Sequence, residues 1–311
     1  MGSLTVATRR GKLAIAQTEV VISVLRKIYP DIQIKIRQIS TRGDRDKRTV
    51  LWKLKQSGFF TSLVEDALLA GKADFAVHSF KDLPTQQREE LTIAAVCDRQ
   101  FAEDCLISAK PISSIEELPE AAKIGTSSLR RTVQIKRLRG DLRVLPIRGN
   151  VPTRIKKLEK GEFDAVILAR AGVERLGLAD RISFCFDPAR FIPAPAQGAL
   201  AVQTRIDDED LRKQVSAIDD NEARTATFAE RKVLARMQCG CHAPAGAFAK
   251  IAGDNIEIIA FISDLQGENF ISRQLTGPAD DVDNLAEKLA SDLLSSGGDR
   301  ILKDLDSARE Q

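Results

Sequence analysis

Lys123-Ile124-Gly125-Thr126-Ser127-Ser128-Leu129-Arg130-Arg131 reads as a strand, a glycine turn, a run of hydroxyls and the start of a helix. The pattern then repeats. Leu142–Ile147 is a strand, Arg148-Gly149-Asn150-Val151-Pro152-Thr153-Arg154 a turn, and Ile155–Lys160 a helix. Asp164–Ala169 follows as a near-continuous apolar run, the signature of a buried strand, with a helix from Ala171 to Leu176. Alternation of strand and helix through successive units predicts an α/β lobe with a parallel sheet and crossovers on both faces. Such sheets place their ligands just past the carboxyl ends of the strands. Arg130, Arg131, Arg148 and Arg154 fall at those ends and are expected to face one cleft.

The charge in this region is one-sided. Lys123 to Lys157 holds eleven Lys or Arg against one acid, Asp141, although the whole chain carries only +3. A basic block of this kind is a solvated face, a nucleic-acid patch or a site for a small anion. No aromatic residue for base stacking lies in the block, and aromatics are 5% of the chain, which counts against a polynucleotide. The turn at 125–131 offers backbone N–H groups, the hydroxyls of Thr126, Ser127 and Ser128, and two guanidiniums at a helix start, which suits an anion. It lacks the G-x-x-x-x-G-K-S/T of a phosphate loop, and ordinary helix capping is the plain alternative.

On the amino-terminal side, Leu4–Ala7 is a strand that turns at Thr8-Arg9-Arg10-Gly11 into a helix through Leu13, Ala16, Val20, Val21 and Leu25. Arg9 stands in a strand-to-helix turn, a favourable place to hold an anion. Ile32–Ile39 alternates as a strand and empties into the polar loop Ser40–Asp46. A helix is expected from Phe59 to Leu69, and Ala73–Val77 is a short buried strand that ends in His78-Ser79-Phe80-Lys81-Asp82-Leu83-Pro84. Asp82 beside Lys81 is a candidate general acid/base or charge stabiliser, with a simple turn aspartate as the alternative. His78 is expected to be a satisfied structural histidine. Leu91–Val96, Cys105–Ser108 and Leu200–Gln203 read as further strands, Asp208–Met237 as helical, Ile256–Ile262 with Asn269–Gln274 as a hairpin, and Asp281–Leu294 as a helix.

Before that hairpin lies Gln238-Cys239-Gly240-Cys241-His242-Ala243-Pro244. Zinc motifs need a second ligand pair, c-type haem needs two residues between the cysteines, and a bridge between thiols this close is strained. A chemically used thiol and a plain loop cysteine both remain open. Five cysteines without a framework pattern fit a reducing compartment, so a cytoplasmic location is expected. No signal-peptide pattern opens the chain, and no apolar run is long enough to cross a bilayer.

Together, Ala7-Thr8-Arg9, Thr41-Arg42-Gly43-Asp44, His78–Pro84, Gly125–Arg131, Arg148-Gly149-Asn150-Val151, Ala196-Gln197-Gly198-Ala199 and Gly240–Pro244 resemble, in order, the porphobilinogen deaminase (hydroxymethylbilane synthase) family. The resemblance implies an α/β fold with two lobes like type II periplasmic binding proteins, the first discontinuous, plus a small C-terminal α+β domain. The implied domains are 1–97 with 198–216, 98–197, and 217–311. It implies a dipyrromethane cofactor held by a thioether at Cys241, with porphobilinogen units added head to tail, ammonia lost and hydroxymethylbilane released by hydrolysis. Asp82 matches the family's catalytic carboxylate. Lys81, Thr126, Ser127, Ser128, Arg130 and Arg131 match cofactor-binding positions, and Arg9, Arg148, Arg154 and Gln197 substrate-binding ones. A monomer without nucleic acid, metal or membrane is implied.

Three positions depart from the family's pattern: Gly11 where serine is common, Lys55-Gln56-Ser57-Gly58 in a loop richer in glycine and lysine, and Cys239 in place of glycine. A two-lobed anion-binding protein without chemistry would explain the arginines but not a thiol stretch combined with Lys81-Asp82.

Overall fold

The computed structural model describes residues 3–40, 61–238 and 243–310, the side chains of 308–310 excepted. The expectations for the polar loop at 41–46, the 55–58 loop and the Cys239–His242 segment therefore lie outside the described residues. Those described fall into two compact units. One comprises 3–40, 61–100 and 196–225, and the other 101–195, 226–238 and 243–310.

The first unit opens with β1 (Ser3–Arg9), α1 (Lys12–Ile28), β2 (Gln33–Ile39), α2 (Ser62–Leu69), β3 (Phe75–Ser79) and β4 (Leu91–Cys97). Strand β1 runs parallel to β2 and β3. Val21, Ile22 and Leu25 recur at helical spacing and pack α1 against Phe75 and Val77 of β3. The intervening Ala76 faces the other way, where Val64 and Leu68 of α2 cover it together with Ala7. The sheet is thus buried on both faces, as its apolar strands require.

The chain then builds β5 (Asp104–Ser108), β6 (Lys123–Gly125), α3 (Leu129–Leu138), β7 (Arg143–Leu145), α4 (Val151–Glu159), β8 (Ala165–Ala169), α5 (Arg170–Glu174) and β9 (Phe184–Cys185) in the second unit. Their sheet has the order β7-β6-β8-β5-β9. Afterwards β10 (Leu200–Arg205) and α6 (Glu209–Ser216) rejoin the first unit, giving the order β2-β1-β3-β10-β4. The α/β class and the discontinuous first lobe are as expected. The wholly parallel sheet is not. Strand β10 is antiparallel to β3 and β4, and β5 to β8 and β9. Hydrophobic patterning reports burial, not strand direction, so a returning strand reads the same either way.

Helix α7 (Asn221–Arg236) is separate from α6, so the single helical stretch expected over 208–237 is corrected to two. Asp219 and Asp220 break it: Asp220 caps Ala223 N–H at 3.0 Å, and Asp219 accepts from Val96 N–H at 2.6 Å and pairs with Arg224. The second unit ends with the meander β11 (Ala245–Ala252), β12 (Asn255–Ser263) and β13 (Phe270–Pro278), then α8 (Val282–Leu293) and α9 (Asp299–Glu310). Helix α9 lies beyond the last element expected from the sequence, which ends at Leu294. This sheet packs on α3: Phe261 joins Val133 and Ile192 in one apolar cluster, and the Arg137 guanidinium lies 4.2 Å from the Phe270 ring centroid.

Candidate functional site

In the first unit the site residues gather at the carboxyl ends of β1 and β3. Strand β3 runs directly into a 3-10 turn, Phe80–Asp82. Phe80 is fully buried among Leu83, Val96 and Ala199, and its N–H donates to Ala199 O at 3.0 Å. Burying that ring contributes roughly 2–3 kcal/mol and fixes the two polar residues that follow it. Lys81 Nζ donates to Gln197 Oε1 at 3.2 Å, and Gln197 itself is 1% exposed. Ala196 before it sits at φ 59, a left-handed conformation costly for a residue with a Cβ. Arg9, the last residue of β1, brings Nη1 to 3.8 Å from Asp82 Oδ2. Arg9, Lys81, Asp82 and Gln197 are therefore neighbours within one unit. At Gly11, φ is +141, a region closed to residues with side chains, so the serine common in the family would be strained here.

His78 meets expectation in part. It is buried on β3 and hydrogen-bonds the Gln203 side chain, while its Nε2 finds no partner among the described residues. Burial, with the Arg9 charge, lowers its pKa to about 4 against the opposing effect of Gln203, so the imidazole is neutral at physiological pH.

The second unit holds the arginines. Ser128 caps α3, its Oγ accepting from Arg131 N–H at 3.4 Å, and Ser128 N–H donates to Thr126 Oγ1 at 3.2 Å. Ser127 Oγ donates to Ile147 O at 2.7 Å and accepts from Ile147 N–H at 3.1 Å. The hydroxyl run thereby stitches the start of α3 to the residue before Arg148. The next turn needs its glycine: Gly149 has φ +116, and a Cβ there would lie 2.5 Å from Thr153. Asn150 caps α4 by accepting from Thr153 N–H at 3.0 Å, and Arg154 Nε donates to Gly149 O at 2.8 Å.

Arg130 and Arg131 are turned inward and are 5% and 7% exposed. Each donates one Nη2 to the fully buried Asp104 at 2.7 Å, and each places Nη1 on a backbone carbonyl, Ile192 O at 2.7 Å for Arg130 and Ile167 O at 3.0 Å for Arg131. Burial would raise the Asp104 carboxyl, but the two guanidiniums outweigh it and hold the group well below the usual carboxylate range. Asp104 was not anticipated from the sequence. The available signal was an acid opening an otherwise apolar strand, Asp104-Cys105-Leu106-Ile107.

The remaining cations repel one another. Burial, then the charges of Arg131 and Arg148, lowers the Arg154 guanidinium to about 10. Arg131 Nε and Arg148 Nη2 are buried donors that find no partner among the described residues. Guanidiniums held together against their repulsion, with donors unspent, suit a ligand bearing several carboxylates, such as a dipyrromethane carrying acetate and propionate groups. A pocket of about 650 Å³ between Asp264 and Leu305 includes none of these residues, and the Asp264 carboxylate there is already satisfied by backbone N–H groups from residues 266–269. Cys241, the expected anchor, lies outside the described residues. Among the described residues, no group of three His, Cys, Asp or Glu could hold a metal ion, and no helix is long and apolar enough to cross a membrane.

Comparison with known proteins matches residues 4–213 to the family described as "Porphobilinogen deaminase, dipyromethane cofactor binding domain" and residues 225–295 to "Porphobilinogen deaminase, C-terminal domain". A porphobilinogen deaminase of Natranaerobius thermophilus is 42% identical over 307 residues, covering 97% of this chain and 98% of that one. One from Desulforudis audaxviator is 42% identical over 299 residues, covering 96% of each. Among solved structures, the VFT2 domain of BvgS from Bordetella pertussis aligns over 72% of this chain and 91% of that one, at 13% identity and a TM-score of 0.42.

Proposed function

The chain belongs to the porphobilinogen deaminase family, and on that premise we propose that it joins porphobilinogen units head to tail on a covalently held primer, releases ammonia, and frees hydroxymethylbilane by hydrolysis for tetrapyrrole synthesis. The observation that carries the reading is the set of mutually repelling arginines with buried, unspent donors. A nucleic acid would want aromatic faces beside them, and a neutral ligand would leave their charge unanswered.

Cys241 is the proposed covalent anchor, and the dipyrromethane it carries supplies the primer to which the first pyrrole is joined. Arg130, Arg131, Lys81, Thr126, Ser127 and Ser128 are the proposed cofactor-binding residues. Arg9, Arg148, Arg154 and Gln197 are proposed to bind substrate carboxylates. Loss of ammonia from porphobilinogen leaves a cationic azafulvene, and Asp82 is proposed to stabilise that charge and to manage the proton at the pyrrole nitrogen and α-carbon. Arg9 keeps the Asp82 carboxylate oriented between turnovers, and the Gln197–Lys81 contact holds the lysine beside it. The chain is further read as three domains, 1–97 with 198–216, 98–197 and 217–311, a division supported by the three sheets found among the described residues. It is read as a cytoplasmic monomer by its resemblance to the family.

The test is ammonia release and hydroxymethylbilane formation by the purified protein given porphobilinogen. One ammonia released for every pyrrole unit in the hydroxymethylbilane formed supports the reading. A protein that binds porphobilinogen without releasing ammonia would be the chemistry-free anion binder instead.

A further inference from the structure

We infer that Asp104 is a positioning residue for the arginine site: it assembles the guanidiniums before any ligand arrives and leaves Arg131 Nε as the donor offered to a carboxylate. The inference rests on the proposed function of the arginine cluster. A polyanion site would be expected to exclude acids, yet a carboxylate with no exposed surface sits at its base. Its two oxygens are divided evenly, Oδ2 to Arg130 and Oδ1 to Arg131, each at 2.7 Å.

The two arginines then differ in what remains. Arg130 gives Nη1 and Nη2 to the fold. Its Nη1 holds Ile192 O, and the Gln134 amide grips the same residue by donating to Ile192 O at 3.0 Å and accepting from Ile192 N–H at 2.7 Å. Arg131 is pinned at both terminal nitrogens, by Asp104 and by Ile167 O, and its Nε alone is left without a partner among the described residues. Because a guanidinium is planar, fixing Nη1 and Nη2 fixes the direction of the Nε–H bond. Asp104 thus sets that direction, and its charge also offsets the repulsion that Arg130, Arg131, Arg148 and Arg154 would otherwise exert on one another. Such preorganisation spares the ligand the cost of gathering the cations itself.

The experiment compares wild type, Asp104→Asn and the double variant Asp104→Asn/Arg130→Gln, with Arg130→Gln alone as the control for loss of that proposed cofactor-binding side chain. The double variant removes one acid and one base, so the net charge is unchanged, and glutamine can still donate to Ile192 O. For each protein, folding is followed by circular dichroism, covalent cofactor occupancy by intact mass, and KM and kcat on the loaded fraction. The expected result is a folded double variant with occupancy at least fivefold below wild type and, on the loaded fraction, KM raised at least fivefold with kcat within about twofold. Asp104→Asn is expected to show the same loss or a deeper one. A folded Asp104 variant with wild-type occupancy and KM overturns the inference, and so does failure of both Asp104 variants to fold, which would make Asp104 structural only. If wild type itself carries no added mass, the proposed function fails rather than the role of Asp104.

Discussion

Replacing Asp82 by Asn separates chemistry from stability more sharply than any other single change. Asp82 is about one-third exposed, and its partner Arg9 stands 3.8 Å away with 27% exposure. A solvent-screened pair of this kind contributes about 0.2–1 kcal/mol to folding. In a unit of this size such a loss moves Tm by at most about 4 °C. Turnover should respond on another scale. A carboxylate that both steadies a cation and moves a proton accounts for about 100- to 10,000-fold in rate, equivalent to about 3–5 kcal/mol of barrier. The amide keeps the shape of the side chain but loses the charge and the basicity. Ammonia release under substrate saturation gives kcat, and scanning calorimetry of the same preparation gives Tm. Turnover within about threefold of wild type would refute the role assigned to Asp82. A drop in Tm of about 10 °C or more would show that the lost activity reflects folding instead.

Two further outcomes follow from the electrostatics. Arg154→Gln removes a charge that its arginine neighbours oppose, so the cofactor-free protein should be no less stable in urea, while KM for porphobilinogen rises about 10- to 150-fold for the loss of one charge-assisted hydrogen bond; an unchanged KM contradicts the assignment. His78 has a folded pKa of about 4 against an ordinary 6.5, so the unfolded chain takes up a proton that the folded one refuses. Stability from this group is present above pH 6.5 and is lost as pH falls towards 4, by about 3 kcal/mol at about 1.4 kcal/mol per unit. Urea unfolding of His78→Gln at pH 7 and pH 4.5 should show a shallower acid loss than wild type, and an equal loss would show that the imidazole titrates normally.

The legible part of the fold was the part with strong periodicity. Strand β3 and helix α1 declare themselves because one residue in two, or one in three to four, must meet the core. Pairing direction was hidden, since β10 and β5 carry the same apolar run whichever way they point. Helix α9 is not legible because, among its described side chains, only Ile301 and Leu305 are buried. In the candidate site, the clustering of Arg9, Lys81 and Asp82 is legible because each lies at a strand end. The hydroxyls of Ser127 and Ser128 were read as an anion cradle, and their hydrogen bonds are spent on helix capping and on Ile147. Asp104 lies 26 and 27 residues from the arginines it joins, a distance over which no local pattern connects them.

The central claim is that a sulfur in the last third of the chain carries a pyrrole primer. Peptide mapping of the intact, unreduced protein after proteolysis tests it most directly. The peptide containing Cys239 and Cys241 is expected to bear one dipyrromethane, lost in Cys241→Ser and retained in Cys239→Ser. An unmodified peptide from catalytically active protein, or a modification that follows Cys239, would contradict it.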